Sequence, residues 1–225
     1  MFSVETDFPI AFDSPDHLMP WGAKRDNHSD TKFILQGIEY SKPKNQDGSK
    51  RAIKVADLGC SGGGLIKEWL DYTPMAIGLE GSDYSAKHQR AEWRTLYNNN
   101  LFTCDISRPF QINYNNEPYK ADFISAWEVI EHIEPTRLGV LFDNVWNHLE
   151  DGGIFLGSGA HESDSPEGME LHLSLHTQIE WESEIFPLDK FNIIPYPLTS
   201  HVRSGCDFYF CIQKKEDPNR LVSLF

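Results

Sequence analysis

From residue 53 onward, short apolar runs alternate with stretches in which apolar residues recur every three or four positions. Ile53–Leu58, Met75–Leu79, Leu101–Cys104, Asp122–Ala126 and Ile154–Gly157 are too short for helices, and their near-continuous apolar character predicts buried strands. Between them, Leu65–Tyr72 places Leu65, Ile66, Trp69 and Leu70 on one side of a helix. Ser85–Tyr97 is predicted as a second helix, with Ala91, Trp93 and Leu96 inward. Thr136–Leu149 is a third, with Leu138, Leu141, Phe142, Val145 and Leu149 on its buried stripe. Strands alternating with helices define an α/β domain with a parallel sheet covered on both faces.

The two ends differ from this middle. Residues 1–50 are polar and interrupted by Pro9, Pro15, Pro20 and Pro43, with one short helix expected over Lys32–Tyr40 behind a Ser29 or Asp30 cap. Thr177-x-x-Glu180 reads as a capping box opening a helix through Trp181, Ile185 and Phe186. Phe191–Ile194 and Asp207–Gln213 then follow without a helix between them, which predicts an antiparallel pair closing the sheet. The expected organisation is an N-terminal extension over 1–50 and one domain over 51–225.

Composition narrows the classes. The chain has 225 residues, 40% hydrophobic and 12% aromatic, enough to build a core and too many for a disordered acidic tail. No apolar run reaches the ~18 residues of a membrane helix, and MFSVETDFPIAFD lacks the basic and apolar parts of a secretory signal. Cys60, Cys104, Cys206 and Cys211 show no paired spacing, which suits a reducing cytoplasm. With 20 Lys+Arg against 34 Asp+Glu the net charge is -14, so a phosphate backbone is repelled before specific contacts form.

The chemistry concentrates at strand ends. Val55–Gly64 (VADLGCSGGG) joins a strand to a helix through a glycine-rich turn. As a dinucleotide fingerprint it fails at the middle position, where Ser61 stands between Gly59 and Gly64. Asp57, Glu80 and Asp105 lie at the ends of three successive strands and would converge on one cleft. Three acids suit a ligand rich in amino and hydroxyl donors and suit a pyrophosphate poorly.

On these residues the chain resembles the class I S-adenosylmethionine-dependent methyltransferases. The matching stretches are DLGCSGGG (57–64), GLEGSDYS (78–85), TCDIS (103–107), ADFISAWEVIEHI (121–133) and HLEDGGIFLGS (148–158), in order and in register. The resemblance implies a Rossmann-like, seven-stranded, mostly parallel sheet with an antiparallel C-terminal strand. It implies that Asp57, Gly59, Ser61 and Gly63 surround the methionine part of the cofactor, beside Cys60. Glu80, with Gly81 and Ser82, would take the ribose hydroxyls; Asp105 would take the adenine amino group, with Ile106 beside the ring and Trp127 completing the set. The chain departs from the family pattern at Ser61, where glycine is common, and at Asp151, where proline is usual. By the same resemblance the segment holding Trp21, Arg25, Asp26 and Asn27 would close over the cofactor.

The acceptor side has its own pattern. If a helical turn follows Trp127, then Glu128, Glu131 and His132 share one face and can hold a divalent metal such as Mg²⁺. The same E-x-x-E-H occurs in ubiquinone-type O-methyltransferases and in terminal 2′-O-methyltransferases of small RNAs, where it implies a metal on the substrate hydroxyls; other small-molecule methyltransferases carry it without metal. Glu170–His176 alternates, so an extended segment would point Glu170, His172, Ser174 and His176 one way. His132, His172 or His176 would then serve as proton acceptor, or His176 would complete a metal site with Glu128, Glu131 and His132. Equally, these histidines would face water at an edge. His161 is a further candidate, whereas His17, His28, His88, His148 and His201 read as surface or packing residues. Trp127 and Trp181 fit either a substrate wall or the core.

The reading that follows is a methyltransferase acting on a hydroxyl or carboxylate oxygen of a small molecule such as a sugar or secondary metabolite. An RNA 2′-O-methyltransferase and a non-catalytic cofactor-binding module are the alternatives, and the acidic charge weighs against the first.

Overall fold

The computed structural model describes residues 1–11, 28–43, 48–165, 168, 170–203 and 205–216. Ten strands occur among them: β1 (Phe2–Thr6), β2 (Val55–Leu58), β3 (Ala76–Glu80), β4 (Leu101–Thr103), β5 (Phe110–Tyr114), β6 (Glu117–Pro118), β7 (Ala121–Trp127), β8 (Leu149–Gly159), β9 (Phe191–Ile193) and β10 (Phe208–Lys214). The helices are α1 (Thr31–Ser41), α2 (Gly64–Trp69), α3 (Tyr84–Lys87), α4 (Trp93–Leu96), α5 (Leu138–His148) and the single turn α6 (Gln178–Glu180).

Seven strands form the main sheet in the order β4-β3-β2-β7-β8-β10-β9. Pairings from β4 through β8 are parallel, and β10 runs antiparallel to both β8 and β9. The Rossmann-like sheet and its closing pair are therefore as expected. The strand order reverses between β2 and β7, so the β2 and β7 ends open a crevice where the glycine turn lies.

Side-chain alternation divides the core between the two sheet faces. Val55, Phe123, Ile154 and Leu156 pack with Phe33, Ile34, Trp69 and Trp93 on the face covered by α1 and α2. Ala56, Ile124, Ala126 and Phe155 pack with Phe142, Val145, Trp181 and Phe186 on the face of α5. Asp30 caps α1 by accepting the Phe33 N–H at 3.0 Å. The Thr177–Glu180 capping box is present, but α6 lasts one turn before the backbone widens into a π-turn over Trp181–Ile185.

Three segments differ from the sequence pattern. Residues 85–97 form two short helices, because Gln89 and Ala91 take left-handed φ of 48° and 46°. This break lets Arg90 and Trp93 turn back toward the glycine loop. Phe2–Thr6 is a strand, paired antiparallel with β5 in a second sheet of order β1-β5-β6. The segment 170–176 is not a strand: Ser174 is fully buried, its hydroxyl donating to the Ile133 carbonyl at 2.5 Å, while Leu175 is 39% exposed. The proposed lid residues Trp21, Arg25, Asp26 and Asn27, and His17, lie outside the described residues. No helix among the described residues is long and apolar enough to cross a membrane.

Candidate active site

The site begins with β2, whose four residues are all buried between β3 and β7. Register places Asp57 beside Ser125, and the Ser125 hydroxyl donates to Asp57 Oδ1 at 2.6 Å. Burial, only partly offset by this hydrogen bond and reinforced by the negative charge of Glu80, pushes the Asp57 carboxyl up to about 7.

The turn after β2 needs left-handed backbone at Gly59 (φ 74°), Ser61 (φ 48°) and Gly63 (φ 83°). At Gly59 space forbids any side chain as well: a Cβ would lie 2.4 Å from Val129 Cγ2, on the turn after β7. At Gly63 it would meet Leu101 Cδ1 at 2.5 Å. The loop is thus wedged between β4 and the acceptor-side turn. Ser61 stays in its left-handed conformation through its partners. Its N–H donates to Glu80 Oε2 at 2.7 Å, its carbonyl accepts the Trp93 indole N–H at 2.6 Å, and its hydroxyl accepts Arg90 Nη2 at 3.1 Å. The departure from glycine at this position is matched by Arg90, which also donates to Ser85 Oγ at 3.0 Å.

Glu80 ends β3 and binds both flanking loops, since its Oε1 accepts the Ser82 N–H at 3.0 Å. Cys60 is buried, and burial raises its thiol well above the ordinary range. Gly81 abuts the N-terminal segment, its carbonyl accepting the Ala11 N–H at 3.0 Å. Asp105 is buried after β4, but its Oδ1 accepts the N–H and hydroxyl of its own neighbour Ser107 at 2.9 and 2.6 Å. Its Oδ2 lies 4.0 Å from both Arg108 Nε and Arg137 Nη1. The Asp105 N–H donates to the Phe8 carbonyl at 2.9 Å, and Arg108 sits over the Phe8 ring. Ile106 is buried, and its carbonyl accepts from Asn144 Nδ2 at 2.9 Å. The sequence pattern does not mark Phe8, Ala11 or Arg90, and it marks Trp93 only as an inward residue, because nothing in their spacing signals these long-range contacts.

On the acceptor side, Trp127 is buried edge-on to Phe33. Trp181 is fully buried against Phe186 and Phe208, so it belongs to the core rather than to a substrate wall. Glu128 sits at φ 55°, a strained conformation for a residue with a side chain. Its N–H donates to Ser158 Oγ at 3.2 Å, and its Oε1 is buried without a hydrogen-bond partner. Its charge helps raise the pKa of Cys206 and Tyr209, after the larger effect of burial in each case. These two residues lie at the start of the closing strand; the Tyr209 hydroxyl donates to the Arg203 carbonyl at 3.1 Å, and His201 stacks on the Tyr209 ring at 3.9 Å.

The acidic and imidazole groups assemble differently from the E-x-x-E-H pattern. Glu131, His132 and His172 bring ligand atoms within 4.8 Å of one another. Glu128 and His176 are not in this group, and His176 packs edge-on to Trp181 instead. The broken alternation explains the change: Leu173 and Ser174 donate their N–H groups to the Glu131 carbonyl at 2.7 and 2.9 Å, drawing His172 over the turn. Glu170 is turned away, accepting from Ser163 and Ser165, and those hydroxyls hold its carboxyl down at about 2. Burial, and then the charge of His172, lower His132 to about 4, so it is neutral at ordinary pH. His161 pairs with Asp207 at 3.3 Å, apart from this group.

A doubly covered parallel sheet with a glycine turn at its switch point, an acid on each of three neighbouring strands and an antiparallel last strand defines the methyltransferase class of α/β fold. Comparison agrees. The family model described as "Methyltransferase domain" matches residues 27–195, about three quarters of the sequence, and the chain belongs to that family. Similar solved structures include the magnesium protoporphyrin IX methyltransferase of Synechocystis PCC 6803 with bound SAH, at 14% identity and TM-score 0.55, covering 89% of this chain and 96% of that one. The sugar N-methyltransferase of Streptoalloteichus sp ATCC 53650 has 14% identity and TM-score 0.56, with 88% and 92% covered. An amino pentose methyltransferase from Micromonospora echinaspora, SAM-bound, has 12% identity and TM-score 0.55, with 88% and 96% covered. No curated protein matches by sequence.

Proposed function

We propose that the protein transfers a methyl group from S-adenosylmethionine to a hydroxyl oxygen of a small molecule, of the sugar or secondary-metabolite class. The donor set supports the cofactor: Asp57 and Glu80 offer acceptors at adjoining strand ends, and the Gly59 turn admits a ligand where a Cβ would not fit. S-adenosylmethionine supplies a methyl group on a positively charged sulfur, and in-line displacement depends mainly on holding the acceptor opposite that sulfur. Glu80, positioned by the Ser61 and Ser82 amides, would take the ribose side, and Asp57 would take the amino-acid end. The first eleven residues, bonded at Gly81 and Asp105, support reading 1–50 as a cover on the 51–225 transferase unit. The four unpaired cysteines are in keeping with a cytoplasmic setting.

The observation that carries the acceptor reading is Glu128. It joins the strand end to the turn that walls the glycine loop, it is held in a strained conformation, and it keeps a buried carboxylate oxygen without a partner. Such an oxygen accepts the proton that an acceptor hydroxyl loses as its oxygen takes the methyl group. The same carboxylate would hold an amine, which makes amino sugars the second acceptor class; the sugar N-methyltransferase and amino pentose methyltransferase neighbours point the same way.

Incubation with methyl-labelled S-adenosylmethionine and a panel of hydroxylated and aminated metabolites, with RNA oligonucleotides alongside, tests the reading. Label in a hydroxylated small molecule is the expected result. Label in RNA, with activity falling steeply in salt, overturns it in favour of the nucleic-acid reading. Tight S-adenosylhomocysteine binding with no transfer to any acceptor overturns it in favour of a binding module.

A further inference from the structure

We propose that α1 is the contact face of a homodimer. Two copies of this chain would pair their α1 helices antiparallel about a two-fold axis between Leu35 and Gln36, each placing Leu35 in the groove beside the other's α1.

The groove, about 520 Å³ in volume, runs between α1 and the 197–199 segment and is lined by Leu35, Gln36, Tyr40, Pro197 and Leu198 among others. Its two walls are tied together. Gln36 Oε1 accepts the Thr199 and Ser200 N–H groups at 2.9 and 3.1 Å, and Asp30 Oδ2 accepts the Ser200 hydroxyl at 2.7 Å. Phe33, Ile34 and Gly37 turn α1 onto the core. The opposite stripe carries Lys32, Leu35, Gln36 and Glu39, which the helical period gathers on one outward face. Leu35 is 51% and Tyr40 40% exposed beside the groove. Apolar side chains gathered in this way, rimmed by charge, mark a contact surface.

Charge selects the partner. Residues 28–54 hold six Lys+Arg against three Asp+Glu, whereas residues 128–189 hold one against fourteen. Copies of a chain with net charge -14 repel one another over most of their surface. The α1 helix lies in a segment where that repulsion is absent.

The face is also complementary to itself. About a two-fold axis, positions equally far from the axis meet. Lys32 would therefore meet the second copy's Glu39, and Leu35 the second copy's Gln36 at the groove. Glu39 already pairs with Lys42 at 2.9 Å, so its carboxylate would stand between two cations. An anionic partner would meet Glu39 at the centre of this face, and a cationic one would meet Lys32 and Lys42; a face of the same pattern satisfies both signs. Pairing would brace α1 and, through Gln36 and Asp30, the 199–200 segment. The proposal stands apart from the methyl-transfer reading, since none of these residues belongs to that site.

Sedimentation velocity of the full chain over a micromolar concentration series tests it, and a monomer–dimer equilibrium is expected. K32E and E39K should each weaken the dimer by at least about tenfold, because the two-fold axis makes every like-charge contact twice. The double variant K32E/E39K rebuilds both ion pairs in reverse and should return to within about threefold of the unmodified chain. L35E should sediment as a monomer with unchanged circular dichroism, since all three side chains are exposed and their replacement leaves the core intact. A monomer at every concentration, a dimer that L35E leaves intact, or a double variant that does not recover overturns the proposal. Faster hydrogen exchange of residues 217–225 in L35E, with the unmodified chain monomeric, overturns it in favour of the chain's own C-terminal residues in the groove.

Discussion

Ser125 and Asp57 lie side by side in neighbouring parallel strands, and the Ser125 hydroxyl donates to Asp57 Oδ1 at 2.6 Å. This bond alone does not compensate the burial of Asp57, whose carboxyl stands at about 7 against an ordinary 3.8. Between those values the unfolded chain ionises while the folded chain keeps its proton. The folded state then binds more protons, so this residue's contribution to stability falls as pH rises from about 4 to about 7. Asp57→Asn removes that loss. Urea denaturation at pH 4.5 and pH 7.5 should show the variant gaining on the unmodified protein at the higher pH; a constant difference means Asp57 is not buried as described.

His148 predicts the opposite slope. Its Nε2 accepts the Ile112 N–H at 3.0 Å and its Nδ1 donates to the Asn144 carbonyl at 2.7 Å, tying α5 to β5. Burial lowers it to about 4 from 6.5, so its contribution is complete above about 6.5 and is lost as pH falls toward 4. Protonation at Nε2 removes the acceptor from Ile112. Hydrogen exchange at the Ile112 amide should therefore accelerate between pH 7 and pH 5 beyond the intrinsic rate change, and His148→Gln should abolish the excess.

Glu80 joins two loops through the Ser61 and Ser82 amides. Glu80→Ala should weaken S-adenosylhomocysteine binding by about 1–3 kcal/mol, through lost charged hydrogen bonds and a loosened glycine loop. Arg90→Ala, which removes the brace on Ser61 Oγ and Ser85 Oγ and leaves the Glu80 carboxylate in place, should cost less, about 1 kcal/mol. Calorimetry checks both, and unchanged affinity for the Glu80 variant places the ribose elsewhere.

The parts legible in the sequence are those set by local pattern. β2, β3 and β7 show as apolar runs because they are buried on both faces, and the acids at their ends show because a strand end is a fixed place. The second sheet was not legible: Phe2–Thr6 has only two apolar residues, and its partner β5 lies far along the chain. The break at Gln89 and Ala91 was not legible either, since contacts of Arg90 and Trp93 with Ser61 override a helical sequence. At 170–176 the alternation of residue types was misleading. The hydrogen bonds of Leu173 and Ser174 to the 131–133 turn set the twist, and they bring His172, not His176, to Glu131.

Glu128 provides the sharpest test of the acceptor reading, because its role separates from cofactor binding. Its carboxylate faces Cys206 and Tyr209 and shares no hydrogen bond with the glycine loop or with Glu80 among the described residues. Glu128→Gln keeps the size and the backbone bond to Ser158 while removing the proton acceptor. S-adenosylhomocysteine affinity should stay within about twofold, whereas kcat for a hydroxyl acceptor should fall by about 10²–10⁴-fold. An amine held as a cation would instead lose affinity, so KM would rise more than kcat falls. Raising the pH should partly restore the variant with a hydroxyl acceptor, as solvent takes over the proton. Unchanged kcat and KM would remove Glu128 from the acceptor site.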